Sequence, residues 1–218
     1  NLYVKGEVDI ERKNFLLRFL PSMFRLRKGE RQYLIENSSD LHYCAPDLYD
    51  QKITASTGTV NKLWNADGQL PEYFQLRVYA PTLFDNKLIS PLSADGPKYY
   101  RYLMDSIMGP EHDRSYRIRF MPRQRSYQLV GGYVVVSDRV WSLRQMRFTV
   151  RSEYYICHVL VEMGKVGEQD EFLPLQIHLD GQFHFFGNRI NNRYLATFDY
   201  REVTPHDPGR QLTAQRED

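Results

Sequence analysis

Apolar residues stand at alternate positions at the start of the chain, at Leu2, Val4, Val8 and Ile10, which predicts an opening strand with one buried face. The stretch "NFLLRFLPSMFRLRKGE" breaks that period and predicts a short helix or turn interrupted by Pro21. Over 33–43 apolar and polar residues alternate unevenly, as in a strand with one wet face, and the pattern resumes over 52–60 beyond an Ala45-Pro46-Asp47 corner. Two neighbouring strands are predicted there, the second with few large apolar side chains. Farther on, "SADGPKYYRYLMDSIM" has a Ser cap candidate, an acid in the first turn and an apolar stripe at Tyr99, Tyr102, Leu103 and Ile107, which predicts the best helix in the chain.

From Ser115 onward the pattern is that of a sheet. Tyr116, Ile118 and Phe120 alternate with Arg117 and Arg119, and "GGYVVVSDRVWSL" predicts a strand, a Ser137-Asp138-Arg139 turn and a returning strand. In that return strand the apolar phase runs Trp141, Leu143, then Met146, Phe148, Val150, so it slips by one near Arg144 and Gln145. A bulge there reconciles both halves with one buried face. Four further short strands are predicted over 154–162, 173–179, 182–186 and 194–200. The predicted fold is mainly β with a minor helical part (α+β), a curved antiparallel sheet or incomplete β-barrel wrapped around one or two helices. Residues 1–203 form the single β-rich domain in this reading, and 204–218 a polar tail or linker.

The chain of 218 residues is long enough to bury about 70 percent of its unfolded surface. Aromatic residues reach 14%, with 16 Tyr and 12 Phe, and broad rings favour a pleated surface. A net charge of +2 gives no global pull toward nucleic acid or membrane. Cys44 and Cys157 are far apart and make no CxxC, so they supply neither a metal pair nor a disulfide framework. They remain either a pair across the fold in an oxidising compartment or two buried thiols. No apolar run approaches the roughly 18 residues of a membrane-spanning helix. The opening "NLYVKGEVDI" begins within a strand pattern, as a piece excised from a longer chain would.

Four landmarks in order carry a family resemblance: "YLIENSSDLHYCAPDLYDQKITASTGTV", "KLISPLSADGPKYYRYLMDS", "YRIRFMPRQRSYQLVGGYVVVSDRVWSLRQMRF" and "YLATFDYREV". With them the chain resembles the middle region of a Bacteroidetes outer-membrane family of unknown function, in which a carboxypeptidase-regulatory-like β-domain precedes this region and a membrane β-barrel follows. The resemblance implies a periplasmic, outer-membrane-associated domain. The strand and helix pattern is also similar to the fold of lipoprotein-carrier proteins, a half-barrel curled around a helix that holds acyl chains. The resemblance transfers no catalytic or binding residue.

Candidate chemistry is sparse. In "QIHLDGQFHFF", an Asp180-Gly181 hairpin turn would send His178 and His184 to opposite faces, which argues against a zinc site. Glu111, His112 and Asp113 read as a solvated turn. There is no GxSxG elbow, and "GGYVVV" lacks the Lys and Ser/Thr of a phosphate loop. Gly131 and Gly132 read instead as a bulge or a close approach.

Arginines crowd the 114–151 segment. Arg117, Arg119 and Arg147 are expected to share a polar sheet face open to an anionic partner, against the plainer reading of a solvated face. Tyr99, Leu103, Tyr116, Ile118, Phe120, Met146 and Phe148 are expected to line an apolar concavity for a lipid or acyl chain, or else to form a closed core. The expected function is that of a non-enzymatic periplasmic binding or assembly domain. It has no cofactor, no metal and no nucleic-acid partner, and it contacts neighbouring domains of the same chain and, through a barrel outside this segment, the outer membrane. A structural spacer, a docking domain and an enzyme with a scattered site are the alternatives.

Overall fold

The computed structural model describes residues 1–16, 31–44, 48–59, 76–84, 87–138, 141–166 and 172–203. Its frame is one open antiparallel sheet of ten strands. In chain order these are β1 (Leu2–Arg12), β2 (Gln32–Cys44), β3 (Leu48–Gly58), β6 (Tyr100–Met108), β7 (Ser115–Pro122), β8 (Gly131–Ser137), β9 (Leu143–Arg151), β10 (Tyr155–Lys165), β11 (Phe172–Phe185) and β12 (Asn188–Phe198). A two-residue ladder, β4 (Thr82–Leu83) with β5 (Leu88–Ile89), lies apart from it. The strand order is β3-β2-β1-β12-β11-β10-β9-β8-β7-β6, so the first strand zips onto the last, with Leu2 opposite Phe198 and Ile10 opposite Ile190. β3 and β6 form the two edges.

Alternation builds the inner face as expected. Leu2, Val4, Val8 and Ile10 are buried along β1, and Cys157, Val159 and Val161 along β10. Over β7 to β9 the inner face carries Phe120, Val134, Met146 and Phe148, covered by Leu76, Val78, Leu83, Leu88, Leu129 and Val130 from the connecting segments, all in one apolar cluster. The Phe84 ring lies 6.1 Å from that of Phe148, and Tyr100 meets Phe120 edge to face at 6.0 Å. The Tyr100 hydroxyl donates to the Ile89 carbonyl at 2.7 Å and accepts from the Val130 N–H at 3.2 Å, tying both covering segments to the edge strand.

The predicted bulge is present. Val135 pairs with Gln145 and Val136 with Leu143, which leaves Arg144 as the extra residue and puts Leu143 and Met146 on the same buried face. Two expectations are corrected. The helix predicted over 93–108 is a single turn, α1 (Gly96–Tyr99), after which Tyr100 turns extended (φ −121, ψ 152) into β6. Tyr100, Tyr102 and Met104 alternate as well as the residues of the helical stripe recur, and pairing with β7 decides between the two periods. The sheet is therefore open with very little helix among the described residues, not wrapped around helices.

The second correction concerns Asp180-Gly181, which lies inside the 14-residue strand β11. The turn comes at Phe186 and Gly187, with φ of 43 and 77, the double positive φ of a tight hairpin. Gly181 answers a different need, since a Cβ there would run into the side chains of Tyr155 and Asn192. Of the two readings open for the cysteines, Cys157 takes that of a free, buried thiol, and β1, β12 and β11 separate its strand from that of Cys44. The Ala45-Pro46-Asp47 corner lies outside the described residues.

Candidate binding face

Seven residues were candidates for an apolar concavity. Phe120, Met146 and Phe148 are fully buried, and Tyr99 and Ile118 are partly buried against the same cluster. They form packed core under the segment that carries Phe84. Tyr116 sits near the open margin, its ring stacked on Trp141 at 5.8 Å and its hydroxyl donating to Asp138 at 2.9 Å. Leu103 leaves the group. As a residue of strand β6 opposite Arg119 it belongs to the outer face and is 53% exposed. What remains open and apolar near the inner side is this margin, where Met104 and Ile107 are 57% and 59% exposed opposite Ile118 and Tyr116.

The arginine candidates do come together. Arg119 on β7 and Arg147 on β9 both stand opposite Tyr133 on β8, and the Arg117 guanidinium lies 4.8 Å from the Tyr133 ring centroid. Alternation puts Arg101 and Arg151 on this face too. Across the outer face of β6 to β9 the described residues therefore place five arginines against one acid, Asp105, which pairs with Arg119 at 2.6 Å. The remaining arginine within these four strands, Arg144, is held at the bulge by Asp113 and over the Phe172 ring at 5.5 Å.

Beside the arginines the outer face sinks into a trough of about 470 Å³ across β1, β12, β11, β10 and β9. Its walls carry Lys5, Arg193 and Arg147 and the acids Glu7 and Asp180, which stand on either side of Arg193, with Leu195 and Leu160 between the cations and His158 opposite Asp180. The sequence reading missed Lys5, Arg193, His178 and His158 as members of one surface. No local pattern marks them, because β1 and β12 meet only through the closing of the chain's ends.

Among the described residues the metal and catalytic candidates do not converge. His178, Asp180 and His184 share one face of β11 instead of opposing ones, since the strand runs on without a turn. Six residues of extended chain nonetheless keep the two histidines about 20 Å apart. Glu111 pairs with Arg114 at 3.6 Å and Asp113 with Arg144, so the 111–113 cluster does not converge. Among the described residues no group of three His, Cys, Asp or Glu is placed to hold a metal ion. Burial pushes the Cys157 thiol above its ordinary range, the reverse of an activated nucleophile.

Fold and surface together define a β-sheet with a packed inner face and an outer face that is cation-rich across β6 to β9. Residues 1–201 match the family described as "Family of unknown function (DUF5686)", and the chain belongs to it. No curated protein and no solved structure matches the chain.

Proposed function

We propose that the chain is a non-enzymatic docking and assembly domain of an outer-membrane protein, facing the periplasm and using the outer face of its sheet to hold an acidic protein segment, either a neighbouring domain or a separate chain. The observation that carries this reading is the five-to-one excess of Arg101, Arg117, Arg119, Arg147 and Arg151 over Asp105 on one face of four adjacent strands. Arginine on a sheet face beside an aromatic such as Tyr133 is suited to planar carboxylates. A second reading, an acyl-chain site, draws on the exposed Met104, Ile107 and Trp141 at the margin.

The test is site-specific photo-crosslinking in the full-length protein, with the probe at Thr149 on the outer face or at Ile107 at the margin. Protein adducts from Thr149 that disappear when Arg101, Arg147 and Arg151 are together reversed to Glu support the docking reading. Adducts that survive the reversal overturn it. Native mass spectrometry before and after organic extraction separates the second reading, since a stoichiometric extractable acyl species would favour the margin.

A further inference from the structure

One row of residues crosses the outer face at right angles to the strands. Starting on β1, the residues directly opposite one another are Lys5, Leu195, His178, Leu160, Arg147, Tyr133, Arg119 and Leu103, one from each of eight neighbouring strands. Lys5, His178, Arg147 and Arg119 alternate along it with Leu195, Leu160, Tyr133 and Leu103, while the rows on either side carry the acids Glu7, Asp180 and Glu162. No acid interrupts it until Glu36 on β2, beyond Lys5, and Glu36 is engaged by the Tyr3 hydroxyl. Lys5 and Arg147 have no ion-pair partner among the described residues. Arg119 is held by Asp105, while His178 contacts Gln176 at 3.2 Å with Glu162 at 4.0 Å.

The spacing is what identifies a partner. Neighbouring strands lie about 4.8 Å apart, so the basic positions recur about every 9.6 Å. A polyproline II segment has three residues per turn and rises about 3.1 Å per residue, so every third side chain returns to the same side about 9.3 Å on. We propose that this row is the binding site for an acidic polypeptide segment in polyproline II conformation, with Asp or Glu at every third position. Its carboxylates meet Lys5, His178, Arg147 and Arg119, while the intervening turns lie against Leu195, Leu160 and Tyr133. The trough from Lys5 to Arg147 gives such a segment walls. A segment of this kind is already extended when free, so little ordering entropy opposes its binding.

This inference rests on the docking reading and goes beyond it in naming the partner's conformation and spacing. It is tested on the 218-residue chain by fluorescence anisotropy with a labelled peptide carrying Glu at every third position and Pro between. The comparison peptide has the same composition with its Glu residues gathered into a block. Saturable binding of the periodic peptide, at least about tenfold tighter than the block peptide and weakened about tenfold or more by Lys5→Glu with Arg147→Glu, is expected. Leu160→Ser weakens it by a smaller factor without changing its salt dependence, because the apolar contact carries no charge. Equal affinity for the two peptides, or indifference to the double reversal, overturns the proposal. So does binding to phosphatidylglycerol vesicles in place of the peptide. If the peptide fails while the Thr149 adducts still depend on the arginines, the spacing argument is wrong and the docking reading stands. If both fail, both fall.

Discussion

Removing a single oxygen from Tyr100 tests how the covering segments are held to the sheet. Tyr100 is fully buried, and its hydroxyl serves the Ile89 carbonyl at 2.7 Å and the Val130 N–H at 3.2 Å. Tyr100→Phe keeps the ring and its edge-to-face contact with Phe120 but strands both backbone groups away from water. Each stranded group costs about 1–3 kcal/mol, so with two of them the variant is expected to lose about 2–6 kcal/mol. In a chain of this size each kcal/mol moves the midpoint by about 2–4 °C, so Tm should fall by about 4–24 °C. Tyr102→Phe is the internal control. Its hydroxyl also donates to a carbonyl, that of Pro91 at 2.6 Å, but Tyr102 is part-exposed and water can replace it, so the loss should stay below about 1 kcal/mol. The assay is equilibrium urea unfolding followed by far-ultraviolet circular dichroism, with the two variants compared at equal m-value. Equal losses for the two would refute the claim that Tyr100 is the internal tie.

Four further outcomes follow from the geometry. Gly187→Ala, at φ 77, should cost about 1 kcal/mol in the same unfolding assay and Gly187→Asn less, as the second turn position demands. Phe148→Ala should cost about 3–5 kcal/mol while Leu103→Ala stays within about 0.5 kcal/mol; the opposite order would restore the helix that the apolar stripe suggested. Cys157, buried and with its thiol pushed up, should resist a neutral thiol reagent in the native state and react at the rate of unfolding, as read by mass spectrometry. Burial raises the Tyr100 phenol from 10.0 to about 12 and pushes the phenols of Tyr155 and Tyr194 up as well. Protons then leave the unfolded chain first, so the tyrosines' contribution is full below about pH 10 and is lost as pH rises toward 12; urea midpoints should fall across that window, and less steeply in Tyr100→Phe.

The parts of the fold that could be read from the sequence are those decided within a few residues. The slip from Leu143 to Met146 is visible as a change of phase, and it maps onto the bulge at Arg144 because period two leaves no other way to bury both. The helix over 93–108 was misread because its stripe satisfies both periods, and only the partner strand β7 selects one. Asp180-Gly181 misled for a related reason. That dipeptide is the strongest local hairpin signal, yet here the glycine makes room for Tyr155 and Asn192, a requirement that comes from neighbouring strands. In each error a long-range contact overrode a correct local preference.

The candidate face divides along the same line. Arg117, Arg119 and Arg147 were legible because β7, β8 and β9 are consecutive, so alternation alone puts them on one side. Lys5 and Leu195 stand near opposite ends of the chain and meet only because β1 closes onto β12. A row drawn at right angles to the strands takes one residue from each, and its regularity has no trace in the order of residues along the chain. Its integrity depends on local phase all the same. Without the extra residue at Arg144, burying Leu143 would turn Met146 and Phe148 outward and Arg147 into the core. The Asp113 carboxylate that holds Arg144 therefore helps keep Arg147 in the row, although neither Asp113 nor Arg144 belongs to it.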